Sequence, residues 1–144
     1  METILVGVDG SDNAHEALER AAEEAALHHA ALQIVSAWDI PSVAFMGGYA
    51  AGTDQSLFED VRGRAEKVVR DAIAVVGEIQ PSVSCSGEAV QGQAASVLLE
   101  RAAEDDLVVV GSRGRGGFAS LLLGSTSQQV VHHARCPVLI VHHP

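Results

Sequence analysis

Apolar residues alternate along the chain between two kinds of pattern. Short runs rich in branched aliphatic side chains, at residues 3–8, 31–38, 83–86, 107–110 and 138–141, predict five β-strands. Between them apolar residues recur at helical spacing. Ala14, Ala17, Leu18, Ala21 and Ala25 predict a helix capped by Ser11 or Asp12 and running to about His29. Phe58, Val61, Ala65, Val68, Ala72 and Val75 predict a long helix to about Glu78, and Ala94, Val97, Leu98 and Ala102 mark the inner face of another over residues 93–103. The last helix, over residues 125–134 with Ser125 as its N-cap, carries Val130 and Val131 and is broken by Arg135, Cys136 and Pro137. Residues 39–54, with Pro41, Gly47, Gly48 and Gly52, predict the longest irregular segment, either a mobile lid or a surface connection.

Strands alternating with helices predict an α/β fold: a doubly wound parallel sheet with helices on both faces. Right-handed crossovers bring every strand's carboxyl end to one edge, where such folds bind ligands at a switch point. The 144 residues suit a single domain spanning 1–144, and no internal repeat or linker divides them.

The richest stretch lies at that edge. Leu107, Val108, Val109 and Val110 read as a strand buried on both faces, and residues 111–124 then hold five glycines and two arginines. A loop of this kind leading into a helix start gathers free N–H groups, the positive end of a helix dipole and guanidinium forks, which suits phosphate. Composition sharpens this picture. The formal charge of -10 opposes binding to nucleic acid or an anionic membrane surface, so an anion must be held by local donors against the field of the whole chain. No apolar run is long enough for a membrane span and no secretory leader is evident, so a cytoplasmic location is expected. Cys85 and Cys136 have no CxxC spacing and are expected as buried free thiols.

Gly111, Gly114, Gly124 and Ser125 stand as G, two residues, G, nine residues, G-S. With ILVGVDGS at 4–11, VSAWD at 35–39 and CPVLIV at 136–141, this pattern resembles the nucleotide-binding signature of the universal stress protein family. The resemblance implies a five-stranded sheet of order 3-2-1-4-5 and an ATP site, with Mg²⁺, serving regulation of stress response or metabolism. It implies that Asp9, after Val8, contacts the ribose and that Ala37 meets adenine through its backbone. Val110, Gly111, Gly114, Gly124, Ser125 and Ser127 correspond to positions contacting ribose and phosphates, while Arg113 and Thr126 stand where residue type varies. Arg113 and Arg115 place two positive forks beside the loop. Similar proteins form homodimers through the last strand, here Val138, Leu139, Ile140 and Val141, which would otherwise be an exposed apolar edge.

Other motifs fail on context. Residues 114–119 fit G-x-G-x-x-G/A, but they follow the fourth strand, and Leu139 stands where a dinucleotide site needs an acid. The sole lysine, Lys67, lies far from the loop, so no P-loop exists, and no G-x-S-x-G elbow is present. The pairs His28-His29, His132-His133 and His142-His143 point apart and suit no shared metal. Asp9 could equally cap the following helix. A slow ATPase or phosphotransferase remains a rival reading, with only Asp9 and Asp39 as candidate carboxylates, as does a site for AMP or cyclic AMP.

Overall fold

Five parallel strands form one sheet in the order β3-β2-β1-β4-β5 in a computed structural model that describes residues 2–40, 50–113 and 123–143, with backbone alone for 50–54. The elements in chain order are β1 (Thr3–Gly7), α1 (Asp12–His28), β2 (Ala31–Trp38), α2 (Ala50–Ile79), β3 (Cys85–Gln91), α3 (Ala94–Arg101), β4 (Leu107–Gly111), α4 (Ser125–His133) and β5 (Val138–Val141). This is the α/β architecture that the periodicity predicts and the strand order that the family resemblance implies.

The two central strands divide the core between the faces of the sheet. Ile4, Val6, Leu107 and Val109 pack with Ala17, Leu18, Ala21 and Val76 under α1 and α2, whereas Leu5, Val108 and Val110 pack with Val97, Leu98 and Val130 under α3 and α4. Each fully buried aliphatic side chain contributes about 1.5–3 kcal/mol over leaving it exposed, so β1 and β4, apolar toward both faces, anchor the sheet. The alanine stripe of α1 is buried as its spacing predicts. The turn into α1 needs Gly10, whose φ of 84° is left-handed.

Several boundaries differ from the sequence expectation. α2 begins at Ala50, well before Phe58. The glycines at 47, 48 and 52 had suggested loop throughout, but Gly52 is tolerated inside a helix that tertiary packing holds farther on. Residues 41–49 of the expected irregular segment lie outside the described residues. β3 runs over Cys85–Gln91 instead of 83–86. On this edge strand Glu88 pairs with Arg101 and accepts from Gln33 Nε2 at 3.3 Å. In α3 the buried residues are Ala95, Val97 and Leu98, with Ala94 and Ala102 half-buried. On α4, Val130 is buried but Val131 is 50% exposed. Both cysteines are free and half-buried instead of buried, and burial pushes each thiol upward, Cys136 with a further push from Asp106.

Candidate functional site

The site is built where β1 and β4 end side by side, with Val6 opposite Val109 in the parallel ladder. Val8 is buried after β1 and donates its N–H to Val35 O at 2.9 Å, tying this end to β2. Asp9 follows, and its Oδ1 accepts the Ser11 N–H at 2.9 Å. Ser11 is the N-cap of α1, its Oγ accepting from Ala14 N at 3.2 Å. Ala37 lies half-buried near the end of β2, opposite Val90 of β3. An open cleft of about 400 Å³ beyond it is lined by Trp38, Gln55, Phe58, Glu59 and Arg62, with the Trp38 and Phe58 rings edge to face at 6.0 Å.

On the other side of the crevice, Val110 is buried opposite Ile140 and Gly111 lies opposite Val141. The chain then leaves β4 through Ser112, which is 2% exposed and ties several elements together. Its N–H donates to Val141 O at 2.8 Å, and its carbonyl accepts from Gly124 N and from Ser127 Oγ. The same residue therefore closes the base of the loop, joining the end of β4 to the start of α4. Gly114 and Arg115 lie outside the described residues.

The N-cap of α4 is Gly124, correcting the expected Ser125. Gly124 has φ −74° and ψ 173°, extended backbone outside the helix, while Gln128 N donates to Gly124 O at 3.0 Å as the first helical bond. Ser125 is thus the first helical residue. The serine signal pointed to the right turn but one position late, because a cap is defined by backbone conformation and not by residue type alone. No side chain caps α4, and its first turn holds no acid. The leading N–H groups of Ser125, Thr126 and Ser127 have no intrahelical partner by construction. The Ser127 hydroxyl is committed, donating to Ser112 O at 3.2 Å and Gly124 O at 3.1 Å.

Arg113 adds a second feature of the same kind. Its side chain is half-buried, and its Nε is a buried donor that meets no hydrogen-bond partner among the described residues. An unpaired donor of this sort is costly unless something accepts from it. A guanidinium N–H unpartnered among the described residues, on the residue after Ser112, and an uncapped helix start bonded to the Ser112 carbonyl are each chemistry suited to an anion. No group of three His, Cys, Asp or Glu among the described residues could hold a metal ion. No helix among them is long and apolar enough to cross a membrane.

One residue of this region escaped the sequence reading. Asn13 is 4% exposed, and its side chain meets Ser112, Arg113 and Val141. A signal existed: Asn13, Ala17, Ala21 and Ala25 share one helical stripe, so a polar residue stood on an otherwise apolar face.

Comparison with known proteins follows the same lines. The family model described as "Universal stress protein family" matches residues 1–142. A universal stress protein of Mycobacterium tuberculosis is 37% identical over 137 residues, which are 95% of this chain and 44% of that protein, so the chain spans less than half the length of this relative. A universal stress protein of Thermus aquaticus is 38% identical over 146 residues, covering 97% of this chain and 98% of that protein. A universal stress protein solved in complex with cAMP is similar with a TM-score of 0.71 and 28% identity, over 99% of this chain and 98% of that one.

Proposed function

Because the chain belongs to the universal stress protein family, we propose that it binds an adenine nucleotide, ATP with Mg²⁺ foremost, at the carboxyl edge of its sheet, and that occupancy regulates cytoplasmic partners instead of driving turnover. The observation that carries this reading is the uncapped start of α4, tied through the Gly124 N–H to the Ser112 carbonyl, with Arg113 next in the chain and its buried Nε unpartnered among the described residues. Phosphates would take the N–H groups of Ser125, Thr126 and Ser127, together with Arg113 and, in the loop, Gly114 and Arg115. Asp9 and Val8 would lie at the ribose, Ala37 at the base, and Val110 and Gly111 at the floor between them. The similar protein solved with cAMP supports an adenine nucleotide as the ligand class. Since no set of metal-ligating side chains converges among the described residues, Mg²⁺ would be held mainly by the phosphates.

Titration calorimetry with ATP, AMP and cyclic AMP, with and without Mg²⁺, tests the reading. ATP is expected to bind most tightly. Equal affinity for all three would remove the triphosphate site, and binding of none would remove the nucleotide reading altogether.

A homodimer through β5 belongs to the same proposal. Pro137 O accepts from Val108 N and Val141 O from Ser112 N, so the odd-numbered backbone groups of β5 face β4, and those of Val138 and Ile140 face the open edge. Leu139 and Val141 turn their side chains into the core under α1, which makes a charge there a folding mutation as well. Ile140→Pro removes an outward N–H without breaking the bonds to β4, and because Ile140 also packs on the α3 and α4 side of the sheet, Ile140→Val serves as the control for that packing. Sedimentation should show a wild-type dimer and a monomeric variant. A wild-type monomer would exclude the dimer.

A further inference from the structure

Asn13 occupies a position that neither helix capping nor core packing explains. It sits in the first turn of α1, yet its carboxamide points away from its own helix. Nδ2 donates to Val141 O at 3.1 Å, Oδ1 accepts from Arg113 N at 2.8 Å, and Ser112 Oγ donates to Oδ1 at 3.4 Å. Three segments distant in sequence therefore converge on one buried amide: the start of the β4–α4 loop, the end of β5 and the start of α1.

Gly111 fits the same arrangement. A Cβ at residue 111 would lie 2.7 Å from Asn13 Oδ1 and 2.8 Å from its Cγ, closer than real Cβ contacts permit. The missing side chain of Gly111 is thus the space that the Asn13 carboxamide fills, a requirement separate from any ligand approach. Ser112 extends the network, since its Oγ also accepts the His143 N–H at 3.3 Å, just beyond β5.

We propose that Asn13 is a positioning residue of the nucleotide site, its buried carboxamide fixing how the loop departs from β4 at Ser112 and Arg113 against the end of β5. The inference rests on the nucleotide reading above for its functional consequence. Its physical basis is that both ends of the loop are held by the residues Asn13 contacts. Arg113 N is bound by Asn13 directly, while Ser112 O holds Gly124 N and Ser127 Oγ at the start of α4. Freeing the amide would let the Arg113 backbone and its guanidinium move relative to the α4 N–H groups. The phosphate donors would then no longer be preorganised.

The test combines amide hydrogen exchange with ATP titration on Asn13→Ala, Asn13→Asp and Gly111→Ala. In the ligand-free protein, Asn13→Ala should raise exchange at Arg113 and His143 about tenfold or more while the β1 and β2 amides keep wild-type rates. ATP affinity should fall by about tenfold. Gly111→Ala, which displaces the carboxamide without removing it, should reproduce both effects. Asn13→Asp keeps an acceptor for Arg113 N but loses the donor to Val141 O. It should preserve Arg113 protection and release only the β5 side, providing a readout if the alanine variant folds poorly. Exchange rising equally in all strands with ATP affinity unchanged would make Asn13 a packing residue and overturn the proposal. If wild type binds no adenine nucleotide, the function proposed above fails, and the local exchange pattern still decides whether Asn13 sets the loop.

Discussion

Helices α1 and α4 start at the same edge of the sheet, from neighbouring strands, and their first turns are built in opposite ways. At α1 the Ser11 Oγ accepts from Ala14 N, Asp12 places a carboxylate in the first turn, and Asp9 accepts the Ser11 N–H. The positive end of that helix is satisfied from within the chain. At α4 the cap is a glycine with no side chain to offer, the first turn reads Ser-Thr-Ser, and the nearby Arg113 adds positive charge instead of neutralising it. A side-chain cap is worth a few tenths of a kcal/mol over glycine, and the chain forgoes it at α4 while taking it at α1. The difference teaches that sequence near a helix start carries functional information when it departs from what stability favours. In a chain of formal charge -10, the missing acid at α4 is the more telling departure.

Making α4 resemble α1 should produce the largest effect. Gly124→Asp supplies a capping carboxylate where phosphate is proposed to sit, and the backbone at φ −74° accepts any residue. ATP affinity should fall by about a hundredfold, since the carboxylate takes the N–H groups and repels the ligand. The ligand-free protein should become more stable by a few tenths of a kcal/mol, read by urea denaturation. A folded variant with wild-type affinity would move the phosphate site away from α4.

The reverse change, stripping the cap of α1, should be smaller and should touch stability alone. Ser11→Ala removes the acceptor for Ala14 N and should lower unfolding free energy by about 1 kcal/mol. ATP affinity should stay within about twofold, because the cap of α1 is not a ligand contact in this scheme. A large affinity loss at unchanged stability would make the two helix starts parts of one anion site and erase the contrast.

The smallest effect concerns Asp12. Its carboxylate is exposed, so its interaction with the helix dipole is screened, and Asp12→Asn should cost only a few tenths of a kcal/mol. That difference should shrink further in added salt. A salt-insensitive loss would point to a specific contact instead of a dipole interaction.

Much of the molecule was legible beforehand. The spans 31–38 and 138–141 are strands at the bounds their composition marks, and the alanines of α1 are buried at the predicted positions. These elements are dictated by local periodicity, which the sequence displays directly. β3 was placed too early because Gly87 and Glu88 break the apolar pattern, and the reason Glu88 is tolerated lies in Arg101, on the next helix. The start of α2 was missed because glycine counts as a loop signal only when packing elsewhere does not hold the helix. At the site, the glycine spacing located the loop and the helix that follows it. The family resemblance implies a ligand contact for Gly111, and the structure adds a second reason for glycine there, the Asn13 carboxamide that a Cβ would meet.

The sequence by itself determined which strands and helices exist and in what order, the alternation that makes the fold doubly wound, and the glycine-rich stretch between β4 and α4. Each of these is written in neighbours a few residues apart, where spacing and residue type fix the outcome. Only the tertiary structure decided that Ser127 Oγ is committed to Ser112 O, that Arg113 Nε lacks a partner among the described residues, and that Asn13 binds both Arg113 and Val141. Those contacts join residues as far apart in sequence as Asn13 and Val141. Hydrogen bonding depends on distances of a few ångströms set by how the sheet brings β1, β4 and β5 together, and no local pattern along the chain encodes that meeting.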